Sequence, residues 1–233
     1  MNSINKTARM AGLLYLLFMV TTIPADVFGR SRLVMLGDAA ATAGNILASE
    51  GLFRLSFVGD LVSAVLFFLA AWALYLLLKP VNKDLALLLM LLNLGGVAVY
   101  SINLLNQFAA LLLLSGADYL KVFQADQLSA MAMFFLNLHK NGYWIAQIFF
   151  AAWLLPLGYL VFKSGFLPRI LGIVMMIHFV GWLMTFFQFF LFPGFTAITY
   201  VTYPLGLVSE LGLTLWLLIM GAKEQKPAVL AVA

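Results

Sequence analysis

"GLFRLSFVGDLVSAVLFFLAAW", Gly51–Trp72, takes Arg54 and Asp60 into its first turns and then carries no charge until Lys79. A run this long and this apolar, rich in Leu, Phe and Ala, reads as a helix crossing a bilayer. Without water, a spanning segment must satisfy its own backbone polar groups. Strands of a β-barrel would instead alternate in polarity over about ten residues.

The remainder of the chain repeats the pattern. Continuous apolar runs at about 10–28, 52–78, 85–114, 142–162, 170–192 and 203–222 each reach bilayer length. The expectation is an all-α fold, a polytopic membrane helical bundle of six transmembrane helices forming a single integral membrane domain over 1–233. A content of 64% hydrophobic and 9% charged residues fits no water-soluble domain, so the lipid bilayer is the first partner. The net charge of +4 does not point to nucleic acid, because the basic residues come in pairs between apolar runs, where they set orientation. The absence of cysteine excludes disulfides, thiolate nucleophiles and cysteine metal sites. Lys6 and Arg9 precede the first run as in a signal peptide, but no small-residue cleavage site follows, so that run reads as a retained helix.

Alternate connections differ in charge. Lys6, Arg9, Lys79, Lys83, Lys163, Arg169, Lys223 and Lys226 fall on one side, against Arg30, Arg32, Lys121 and Lys140 on the other. Eight against four predicts a multi-pass protein of the cell membrane with both termini cytoplasmic. The longer loops are then external, and each predicts a short interfacial helix. One lies in "GDAAATAGNILASEG" with Asp38 as its N-cap; the other has Asp126 as its cap, with Leu128, Met131, Phe135 and Leu138 at helical spacing. "FFLAAW" ending at Trp72 and "FFAAW" ending at Trp153 suggest a tandem unit of external helix plus two spans.

Several blocks carry a resemblance: "ARMAGLLYLL" at Ala8, "GDAAATAGNILASEGLFRL" at Gly37, "LLSGADYL" at Leu113, "LHKNGY" at Leu138 and "LGYLVFKSGFLPRILG" at Leu157. In this order they resemble a prokaryotic multi-span membrane family, the domain of unknown function numbered 4386. The resemblance implies a multi-span membrane protein and brings no reaction, substrate or catalytic residue with it. It also implies a small or apolar residue where His178 stands, which tells against a shared role there.

The polar residues inside the runs mark the candidate site. Glu50 and Arg54 share one helical face and are expected to tie the external helix to the second span. Asp60 lies ~9 Å below Arg54 by helical rise. An ionised group at bilayer depth costs on the order of 2.5 to 3.5 kcal/mol, so Asp60 should face the bundle interior and pair with Arg54 or a neighbouring amide, contact a ligand, or be neutral. Asn93, Gly96, Tyr100, Asn103 and Gln107 form one stripe, His139, Tyr143 and Gln147 another, and His178, Trp182, Thr185 and Gln188 a third. Glu210 and Thr214 stand near the outer end of the last run, and Asp26 ends the first. These residues predict an outward-facing polar chamber, with Arg54, Asp60, Asn103, Gln107, His139, Tyr143, Gln147, His178 and Glu210 as ligand-binding residues. Its ligand would be a lipid or a small amphiphilic or cationic molecule that is bound or transported. An intramembrane enzyme using a buried carboxylate, or a metal held by His139, His178, Glu210 and Asp60, is the alternative, and an assembly partner is a third. No motif assigns a cofactor, and no paired metal-ligand spacing such as H-E-x-x-H occurs on one helix. Pro156 reads as the only proline deep in a span, which gives little support to the interrupted helices that transport would favour.

Overall fold

Six helices are long and apolar enough to cross a membrane in the computed structural model, which describes residues 3–195 and 197–223. They are Ile4–Leu33, Glu50–Leu78, Lys83–Leu113, Ala125–Lys163, Arg169–Leu191 and Thr199–Ile219. Among the described residues there is no strand, and the chain is a multi-pass helical membrane protein. Lys226, counted in the charge asymmetry, lies outside the described residues.

In chain order the elements are α1 (Ser3–Pro24), a π segment (Ala25–Arg30), α2 (Ser31–Leu33), α3 (Ala39–Ala48), α4 (Glu50–Leu78) and α5 (Lys83–Leu113). Then come a 3₁₀ turn (Asp118–Leu120), α6 (Ala125–Ala152), α7 (Leu154–Lys163), α8 (Arg169–Leu191), α9 (Thr199–Gly206), a second π segment (Leu207–Leu211) and α10 (Gly212–Ile219). α3 starts as its sequence predicts: the Asp38 carboxylate accepts from the Ala41 N–H at 2.8 Å. α5 is capped in the same way by Asn82, whose Oδ1 accepts from the Leu85 N–H at 3.0 Å. The second interfacial helix is not a separate element, and Asp126 lies within its first turn, not at its cap. Nothing between Asp126 and Gly142 stops a helix, so that segment runs unbroken into the fourth span as α6.

Prolines explain the irregular places. Pro156 offers no N–H to the carbonyl one turn back, and the fourth span breaks at Trp153 before resuming as α7. Pro156 is not the only such residue. Pro24 ends α1 and Pro204 lies inside α9, and a π segment follows closely after each.

α4 shows what solvent the fold is built for. Phe53, Ser56, Asp60, Ser63 and Phe67, spaced three and four apart, are buried, while Leu55, Val58, Val62 and Val65 are exposed. From Ser56 to Val65 the polar side chains face inward and the large aliphatic ones outward, the inverse of a helix in water.

The described residues fall into two compact units, one drawn from Met1–Leu14, Ala70–Leu92 and Ala151–Ala233, the other from Tyr15–Leu69 and Asn93–Phe150. In the first, α7 and α8 meet backbone to backbone. A Cβ at Gly158 would lie 2.7 Å from the Gly172 carbonyl oxygen, so neither position has room for a side chain. In the second, Leu33, Ile46, Phe53, Ala110, Leu111, Ala132 and Leu136 form one core cluster and Ala64, Tyr100, Leu104 and Ala146 another. Phe18 stacks on Phe67 there with ring centroids 4.1 Å apart. The two tryptophans of the suggested tandem unit do not match in surroundings, since Trp72 is exposed on an unbroken α4 and Trp153 is buried at a helix break.

Candidate functional site

In the second unit, the buried face of α4 meets the π segment through small residues. A Cβ on Gly29 would collide with the Ser56 side chain, and one on Gly59 would lie 3.0 Å from the Ala25 Cβ. That close approach lets Arg30 reach inward. Its Nη1 donates to Asp60 Oδ2 at 2.5 Å and to Gln107 Oε1 at 3.2 Å, and its Nη2 donates to Asp26 Oδ1 at 2.6 Å. Gln107 passes the line on, donating to Ser56 Oγ at 3.1 Å. The Asp60 side chain is 0% exposed, Arg30 15% and Asp26 48%, so the network runs from buried to half exposed. Asp60 Oδ1 has no donor in hydrogen-bonding geometry, and the Tyr100 hydroxyl is near enough to act on the carboxylate.

The partner of Asp60 is therefore Arg30 and not Arg54. The Arg54 side chain is half exposed and holds Glu50 at 2.6 Å within α4, so the pair ties α4 to nothing else. Asp60 faces the buried side and Arg54 points away from it. Arg30 escapes a hydropathy reading because the first apolar run ends at about Phe28, which assigns the Arg30 charge to a loop. The Asp26–Arg30 spacing of four was the available signal.

A second polar group in this unit joins α5 to α6. Asn103 Nδ2 donates to the His139 carbonyl at 2.8 Å and lies 3.3 Å from His139 Nδ1. Gly142 makes room for it, since a Cβ there would fall on Asn103 Oδ1. Tyr143 meets Tyr100 edge to face at 6.2 Å, and Gln147 is buried one turn further along. Asn103 and His139 satisfy each other, the arrangement expected of polar groups that bind helices together.

The first unit has its own polar group, built on the second π segment. His178 of α8 is buried, with Nδ1 2.9 Å from Ser209 Oγ and 3.6 Å from Glu210 Oε1. Its Nε2 has no partner and lies against Gly206, where a Cβ would come within 3.1 Å of it. Further along the same helix pair, Thr185 and Thr202 are 3.0 Å apart and both donate to the Gly181 carbonyl. Ser209 carries no signal in the sequence. It faces His178 because the π segment sets the direction of its side chain.

Of the predicted residues, Arg54, Asp60, Asn103, Gln107, His139, Tyr143 and Gln147 belong to the second unit, and His178 and Glu210 to the first. Among the described residues no three of His, Cys, Asp or Glu are grouped so as to hold a metal ion, so the four-ligand reading of His139, His178, Glu210 and Asp60 finds no support.

A family described as Domain of unknown function (DUF4386) matches residues 10–221. An "Uncharacterized protein" of Archaeoglobus fulgidus is 29% identical over 171 residues, covering 72% of this chain and 85% of the relative. No solved structure matches.

Proposed function

Because the chain belongs to the DUF4386 family, whose description names no reaction, we propose from the geometry that it binds a small amphiphilic molecule with a cationic head. The observation that carries this reading is Asp60, wholly buried, with one carboxylate oxygen on Arg30 and the other without a donor. A polar atom left unpaired in an apolar surrounding costs free energy, which a ligand N–H would recover. Asp26, Arg30 and Asp60 together hold two carboxylates against one guanidinium, leaving one negative charge for the ligand to balance. Because Oδ1 needs an N–H, the ligand is an ammonium that carries at least one hydrogen on nitrogen and not a quaternary one.

Gln107, Tyr143, Gln147 and the Asn103–His139 pair are the polar walls of this site, with Arg54 at its exposed edge. His178 and Glu210 are the corresponding candidate of the first unit. The protein sits in the cell membrane with both termini cytoplasmic, so that the site opens outward.

Thermal unfolding in zwitterionic nanodiscs tests the reading, with decylammonium, decyltrimethylammonium and decanol as probes. Decylammonium alone should raise the Tm of the native chain and leave that of Asp60→Asn unchanged. Equal shifts in both proteins, or a shift with decanol, would remove the reading.

A further inference from the structure

Cations are treated differently in the two units. In the second, three of the five cations, Arg30, Arg54 and Lys121, each hold a carboxylate at 2.6 Å or closer. In the first, Lys6, Arg9, Lys79, Lys83, Lys163, Arg169 and Lys223 are exposed, and among the described residues none of them forms an ion pair.

Several of these are gathered at one corner by hydrogen bonds. The Lys223 N–H donates to the Phe166 carbonyl at 3.1 Å, the Ala222 N–H to Asn5 Oδ1 at 2.9 Å, and Arg9 Nη2 to the Ile219 carbonyl at 3.4 Å. Gly165 and Gly221, at φ 71° and 68°, make the turns that bring these segments together. The start of α1, the end of α10 and the 164–168 loop thus form a corner carrying Arg9, Lys163, Arg169 and Lys223. Two of these cations lie by aromatic rings, Arg169 5.8 Å from the Phe162 centroid and Lys163 5.9 Å from that of Tyr159. From Arg169 an exposed aliphatic stripe runs along α8 through Ile170, Ile173, Ile177 and Val180, spaced three and four apart.

We propose that this corner binds an anionic phospholipid, its phosphate among Arg9, Lys163, Arg169 and Lys223 and an acyl chain along the α8 stripe. Charge complementarity selects the head group, and the stripe adjoining Arg169 selects a lipid over a free anion. Unpaired cations at a membrane surface each attract anionic head groups, by about fivefold in affinity per charge.

The test is native mass spectrometry of protein released from phosphatidylcholine nanodiscs containing a minor fraction of phosphatidylglycerol. The native chain should retain phosphatidylglycerol in preference to phosphatidylcholine, and Arg169→Gln with Lys223→Gln should lower that preference by roughly 25-fold. The Lys223 bond to Phe166 is made by backbone, so the substitution leaves it in place. If that variant does not fold, Lys163→Gln alone should lower the preference by about fivefold by the same measure. Unchanged retention in the folded variant overturns the proposal. So does an equal loss in Lys121→Gln of the other unit, or displacement of the lipid by inorganic phosphate.

Discussion

Arg30 holds two carboxylates and one amide, and removing it leaves Asp60 buried without its counter-charge. Arg30→Ala should therefore cost about 3–5 kcal/mol of stability in mixed micelles, whereas Glu50→Ala at the exposed pair should cost only a few tenths. Replacing both members, as Arg30→Met with Asp60→Leu, should restore most of that loss while ending the proposed ligand response. A double variant that stays as unstable as Arg30→Ala would show that Asp60 matters through its other neighbours. That Asp60 has a role was legible in the sequence, since a carboxylate at membrane depth needs a partner. Which partner was not legible, because Arg30 stands beyond the apolar run that defined the first span. The geometry that turns it inward depends on Gly29 and Ser56, two residues that hydropathy does not weigh.

At the level of helices, α5 and α6 approach closely because Gly142 accepts Asn103. Gly142→Ala would place a methyl group on Asn103 Oδ1, expel the amide and leave the His139 carbonyl without that donor, at a cost of about 1–3 kcal/mol. In an Asn103→Ala background the same change should cost much less, and unfolding of the four proteins of this cycle measures the difference. Simple addition of the two costs would mean that the contact does not hold the helices. The spans and the Asp38 cap were readable, because length, hydropathy and capping chemistry act locally. The π segments were not, because a one-residue change in hydrogen bonding leaves no mark on hydrophobic spacing. Pro24 and Pro204 were the visible warning of them.

For the whole molecule, the charge asymmetry makes a prediction about sidedness that this cysteine-free chain is well suited to test. Single cysteines at Ser115 and Asp118, both exposed, should react with an impermeant thiol reagent added to intact cells, and one at exposed Asn82 should not. The opposite pattern reverses the topology. Ser164, in a loop that sequence alone marks as accessible, is buried and would be silent from either side. Composition settled the membrane class because 64% apolar residues leave no other solvent. It could not divide the polar residues between two units, since that depends on which helix segments pack together.

The second π segment also acts as a phase shifter. Above it, Thr202 and Gly206 lie against Gly181 and His178 of α8; below it, Leu217 and Leu218 close on Gly12 of α1. Wound as a regular α-helix with the same number of residues, this segment would turn one half against the other by about 100°. Only one of the two contacts could then persist. The last helix thus addresses two neighbours that this sequence could not face at once as a continuous α-helix, and the wider turn is what reconciles them.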